Sequence, residues 1–160
     1  MWSDSGTEKP TMTPAIEPRN TAAAVLAELV GGEIFFPNGL LGFPNCRRFK
    51  LSYFEPGDDH DSPFLVLHSL DQELSFLVIH PDFIAPDYSV PVYPELRQAL
   101  GAKSDGELLA LLVVTVREQV EDITVNLQGP LLLSTLSRIG MQLVLEEFPL
   151  RHPLLPMQDR

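Results

Sequence analysis

A chain of 160 residues with 44% hydrophobic side chains fits one domain with a real core, and at this size roughly two-thirds of the unfolded surface can be buried. Eleven Lys and Arg stand against twenty-two Asp and Glu, a net charge of −11, which excludes the clustered cations that grip phosphate backbones and suits either plain solubility or a basic protein partner. Cys46 is the single cysteine, so an internal disulfide and a cysteine-rich zinc site are excluded and a reducing compartment is indicated.

Residues 1–20 are rich in Thr, Pro and Glu, with Pro10, Pro14 and Pro18 spaced through them. They read as a disordered tail ahead of a single domain over 21–157. The opening MWSDSGTEKPTMTP has neither a basic start nor an apolar stretch of signal-peptide length. Residues 21–30, TAAAVLAELV, read as a helix capped at Asn20 and ended by Gly31-Gly32, with a strand as the alternative.

From residue 33 onward, short apolar runs separated by Gly, Pro and Asp predict strands near 33–36, 47–54, 63–69, 75–79, 110–117, 122–128, 131–136 and 141–146. The last two join through Ser137-Arg138-Ile139-Gly140, with Gly140 in position to adopt positive φ. Pro94 opens a short helix, PELRQAL, that Gly101 closes; Ser104 and Glu107 have capping-box spacing. The longest apolar run, Leu108 to Val114, falls far short of the ~20 residues that span a bilayer. Without βαβ spacing a parallel sheet is disfavoured, and the pattern predicts an all-β fold: a small antiparallel β-barrel, closed or nearly so, with one or two short helices.

Chemistry is hard to find in this pattern. In DITVNLQGPLLLS, residues 122–134, the amides Asn126 and Gln128 alternate with apolar residues. They form either the wet face of a half-buried strand or a hydrogen-bonding row for a ligand or peptide backbone. The acidic stretch EPGDDHDS at 55–62 lacks the ligand spacing of a calcium loop and reads as a solvated hairpin loop that adds negative potential. His60, His68, His80 and His152 make no zinc motif, and Cys46 beside Arg47 and Arg48 reads as a structural thiol. No GxSxG, phosphate-cradling loop or GxGxxG is present, so neither an enzyme nor a cofactor is indicated. The odd segments are FFPNGLLGFP at 35–44 and FPLRHPLLP at 148–156, apolar stretches on Gly/Pro-shaped backbone. Each is either a plug over the barrel mouth or a docking surface.

Taken together, FPNGLLGF at 36–43, FLVLHSLDQELSFLVIHPDF at 64–83, LLVVTV at 111–116, DITVNLQGPLLLS at 122–134 and FPLRHPL at 148–154 resemble the flagellar assembly factor family, FliW, in unbroken order from about Glu33 to Leu155. The resemblance implies a small antiparallel β-barrel without catalytic activity, cofactor or metal. It also implies two protein partners in the cytoplasm: flagellin, and the RNA-binding translational regulator CsrA, whose repression of flagellin synthesis the family relieves. Direct contact with nucleic acid or membrane is not implied. His80, Gly129 and Met141 depart from the usual pattern, which more often has an acidic residue, Ala and a polar or basic residue there. The expected contact regions, in falling order, are the loop with Phe36, Asn38, Gly39, Leu40 and Phe43; the amide row with Asn126; and the acidic loop with Asp58, Asp59 and Asp61. The rivals are a flagellin chaperone that never contacts CsrA and a small ligand-binding barrel or hydrolase, which needs a deep polar pocket with converging titratable groups.

Overall fold

The computed structural model describes residues 18–54 and 62–154. Two helices, α1 (Pro18–Leu29) and α2 (Pro94–Ala99), accompany nine strands: β1 (Glu33–Phe35), β2 (Arg48–Tyr53), β3 (Phe64–Ser69), β4 (Ser75–Ile79), β5 (Leu108–Thr115), β6 (Thr124–Val125), β7 (Leu131–Ser134), β8 (Gly140–Gln142) and β9 (His152–Pro153). The main path runs β9-β6-β5-β4-β3-β2-β1, all antiparallel. The sheet forks at β5. Its second half pairs with β6, while its first half, Leu108–Leu111, pairs with β7, which in turn pairs with β8.

The fork explains why Leu108–Thr115 reads as one unbroken apolar run. Leu109 and Leu111 point into a main core with Phe36, Phe49, Leu51, Leu67, Leu131 and Leu133, roofed by Leu26 and Leu29 of α1. On the other face, Leu108 and Ala110 meet Leu96 and Leu100 around α2, while Leu112 and Val114 meet Ile79, Val125 and Leu127. A strand covered on both sides loses the alternation that marks a half-wet one.

Several sequence expectations need correction. The barrel does not close through a continuous ladder. Its ends meet only at an isolated parallel bridge, Phe35 to Ile139, where Phe35 N–H donates to Arg138 O at 2.9 Å. The first helix begins at Pro18 and contains Asn20, which therefore is not its cap; residues 1–17 lie outside the described residues. The strand expected over 122–128 shortens to Thr124–Val125, and that over 141–146 to Gly140–Gln142. In the turn before β8, Arg138 and not Gly140 takes positive φ, 62°. Gly140 is needed for space: a Cβ there would stand 2.7 Å from the Phe36 ring and 2.8 Å from Leu133. Ser104 makes no side-chain cap, and Glu107 Oε1 instead accepts from Lys103 N–H at 3.1 Å. The second helix matches its expectation, with Pro94 in its first turn and Gly101 just past its end at φ 70°.

Candidate functional site

The loop 36–44 divides its apolar residues between two duties. Phe36 is fully buried and packs edge-on against Phe49, with ring centroids 5.3 Å apart. Leu40 is also in the core. Leu41 is 58% exposed and Phe43 37%, the latter leaning on Phe76 at 5.4 Å. Leu40 and Phe43 exchange main-chain bonds at 3.2 and 2.7 Å, and Gly39 donates to Phe36 O at 2.9 Å. Gly39 sits at φ 69°, and a Cβ there would come within 2.5 Å of Phe43 O, so only glycine permits this curl. Of the residues expected to contact a partner, Phe36 and Leu40 are buried and form the foundation of the loop. Asn38, Leu41 and Phe43 form its outward part.

Asn126, expected in a contact row, lies in a turn. Its carboxamide oxygen accepts from Gln128 N–H and Gly129 N–H, both at 2.9 Å, so it shapes a turn and does not stand in a polar row. That turn and the apolar loop are nevertheless joined. Gln142 of β8 donates from Nε2 to Gly129 O at 2.9 Å and accepts at Oε1 from Leu41 N–H at 2.7 Å. Nothing local marks Gln142, because its contacts lie 13 and 101 positions away in the chain. A hollow of about 250 Å³ lies beside this link, lined by Asn38 to Gly42, Pro44, Met141 and Gln142. Asp58, Asp59 and Asp61 lie outside the described residues.

The second apolar segment folds back as a strap. His152 and Pro153 pair with Val125 and Thr124. Leu127 N–H donates to Pro149 O at 3.1 Å and Leu154 N–H to Ile123 O at 3.0 Å. Phe148 packs at a tilt against Tyr88, ring centroids 4.7 Å apart, and the Tyr88 hydroxyl donates to Leu127 O at 2.7 Å. Burial, with help from nearby Glu147, pushes the Tyr88 pKa up to about 12.

Several other titratable side chains have structural partners or are buried. Cys46 is fully buried. Asp71 accepts from Arg48 N–H at 2.9 Å, Arg47 N–H at 2.8 Å and Arg48 Nε at 3.1 Å. The backbone donors of Arg48 and Arg47, more than the guanidinium, hold the Asp71 carboxyl below the usual range. A second hollow, of about 220 Å³, gathers His80, Asp82, Tyr88 and Asp105. There Asp105 is paired with Arg97 at 2.6 Å, and His80 Nδ1 accepts from Asp82 N–H at 3.1 Å. Among the described residues no three His, Cys, Asp or Glu side chains are grouped to hold a metal ion, and no helix is long and apolar enough to cross a membrane.

What this geometry offers is a firmly supported apolar loop on the rim of an open sheet. The model of the FliW protein family matches residues 19–154. The chain belongs to the FliW family. It is 37% identical over 125 residues to the flagellar assembly factor FliW of Natranaerobius thermophilus, covering 76% of this chain and 80% of that one. To the flagellar assembly factor FliW of Caldanaerobacter subterraneus subsp. tengcongensis it is 31% identical over 126 residues, covering 76% and 81%. A crystal structure of the flagellar assembly factor FliW matches the fold with a TM-score of 0.67 at 24% identity, covering 79% of this chain and 87% of that one.

Proposed function

We propose that this FliW-family protein works in the cytoplasm as a binding module without a catalytic step. It takes up CsrA, relieving the repression of flagellin mRNA, and takes up flagellin as the competing partner. The observation that carries this reading is the split loop. Phe36 and Leu40 fix its base in the core, while Leu41 stays 58% exposed on a main chain pinned by Gln142. An exposed leucine on a rigid mount costs little ordering entropy on binding. The net charge of −11 supports a basic partner and speeds its approach.

The test is to mix the purified protein separately with CsrA and with flagellin, and then with both. Each pair should form a complex, and flagellin should displace CsrA, as mutually exclusive binding requires. Capture of flagellin alone would identify a chaperone that never contacts CsrA. Leu41→Ala should weaken capture without lowering the melting temperature, because nothing in the core rests on that side chain. Neutralising Asp58, Asp59 and Asp61 together should slow CsrA association, more at low salt than at high. An unchanged rate would remove the acidic loop from the mechanism.

A further inference from the structure

Beyond Gly140, whose N–H the parallel bridge turns toward Phe35, β8 and the residues after it carry main-chain bonds on one side only among the described residues. Ser134 N–H donates to Ile139 O at 2.9 Å, Leu143 N–H to Pro130 O at 2.9 Å and Leu145 N–H to Gln128 O at 2.7 Å. In an antiparallel ladder the residues between such pairs turn their main-chain groups the other way. Those residues here are Gln142 and Val144. On that side β1 reaches only Ile139 before the chain leaves at Phe36. Among the described residues no main-chain bond is made to Val144. From Met141 to Leu145 the open edge is about 13 Å long, enough for a strand of four or five residues.

Three features show what would fit it. First, the hollow of about 250 Å³ opens along this edge: Met141 and Gln142, whose side chains leave opposite faces of the strand, both line it, facing Leu40, Leu41 and Gly42. Second, the stretch GMQLV at 140–144 carries none of the lysines, prolines or charges that usually blunt a strand edge, and Val144 is 54% exposed. Third, the edge runs directly into two exposed carboxylates, Glu146 and Glu147.

We infer that the edge from Met141 to Leu145 receives an extended segment of a partner protein, which adds to the sheet as a further strand. One aliphatic side chain of that segment enters the hollow beside Met141, and lysine or arginine at one end meets Glu146 and Glu147. A helical partner would leave the outward N–H and C=O groups unused, whereas strand addition draws its affinity from them and its selectivity from the hollow. This goes beyond the proposed function: it concerns a mode of docking and holds or fails whichever protein supplies the strand.

The probe is a fluorescein-labelled heptapeptide of alternating valine and threonine with two lysines at one end, titrated against the full chain by anisotropy. Saturable binding is expected, with slowed amide exchange at Gln142 and Val144. Replacing the lysines by glutamates should weaken it, and methylating the peptide's main-chain nitrogens should abolish it. Val144→Pro removes an outward donor that no internal bond uses and should weaken binding about fivefold to tenfold, the loss of one hydrogen bond. Should that variant melt early, the methylated peptide makes the same test on the unaltered protein. No saturable binding, equal binding of the methylated peptide, or exchange protection confined to another part of the sheet would each overturn the inference. Capture of CsrA or flagellin is a separate measurement, so loss of the proposed function would leave this result standing.

Discussion

The loop 36–44 and the strap 148–154 pose the same problem, since both are apolar, glycine- or proline-shaped and short of regular structure. They solve it differently. The strap satisfies its main chain on the sheet, pairing with β6 and packing Phe148 against Tyr88. The loop satisfies its main chain largely within itself, through Leu40, Phe43 and Gly39, and borrows one side chain, Gln142, from outside. A segment that pairs with a sheet covers an edge; a segment that curls on itself can keep a side chain in the open. Each still leaves one leucine exposed, Leu41 at 58% and Leu150 at 52%, but only the Leu41 main chain is pinned by a side chain of another strand, which is what favours Leu41 in the proposed contact.

The largest effect should come from pulling out the loop's foundation. Phe36→Ala removes a fully buried ring that touches Phe49 and the space over Gly140. It should cost about 3–5 kcal/mol in urea unfolding, whereas Leu41→Ala at the tip should stay within about 0.5 kcal/mol. Equal effects would mean that the loop is not divided as described. Phe148→Ala, which strips the strap of a partly buried ring, should cost roughly 2–3 kcal/mol and speed amide exchange at Leu127 and Leu154 while leaving Leu41 unchanged. Gln142→Ala should cost about 1 kcal/mol by removing the bonds to Leu41 N–H, which is left to water, and to Gly129 O, and its exchange signature should be the reverse: faster at Leu41, unchanged at Leu154.

How far the sequence reveals these regions depends on whether their cause is local. Strand positions came through where short apolar runs are broken by turn residues, as at Phe64–Ser69 and Ser75–Ile79. Pro94 and Gly101 likewise act on their own neighbours. Alternation at 122–128 misled, because Asn126 folds its carboxamide back onto Gln128 and Gly129 within the same few residues, and a period-two pattern does not distinguish that turn from a strand. Gly140 was legible as special but for the wrong reason: the ring it makes room for is Phe36, about a hundred positions earlier in the chain. The open seam was not legible at all. Whether a sheet closes depends on how β1 and β8 meet in space, and here they share a single bridge.

The smallest predicted effect also separates the two regions. His80 accepts a hydrogen bond from Asp82 N–H through Nδ1, so the neutral ring is the one that fits. Burial lowers its pKa below 6.5, and the nearby Asp82 carboxylate only partly opposes this. Because the unfolded chain binds this proton more readily than the folded one, stability is intact above pH 6.5 and declines as pH falls through 6.5 toward the folded value. The charges around the ring are Asp82 and, across the hollow, Asp105, the latter already paired with Arg97. Tyr88 lines the same hollow and holds the strap through Leu127 and Phe148. A charged His80 should therefore loosen the strap before the loop. Amide exchange compared at pH 7.5 and pH 5.5, corrected for intrinsic rates, should show faster opening at Leu127 and Leu154 than at Leu41, and His80→Gln should flatten the difference. If the loop loosens first, His80 acts on the main core, and the strap is not the separately held element that its pairing with β6 makes it.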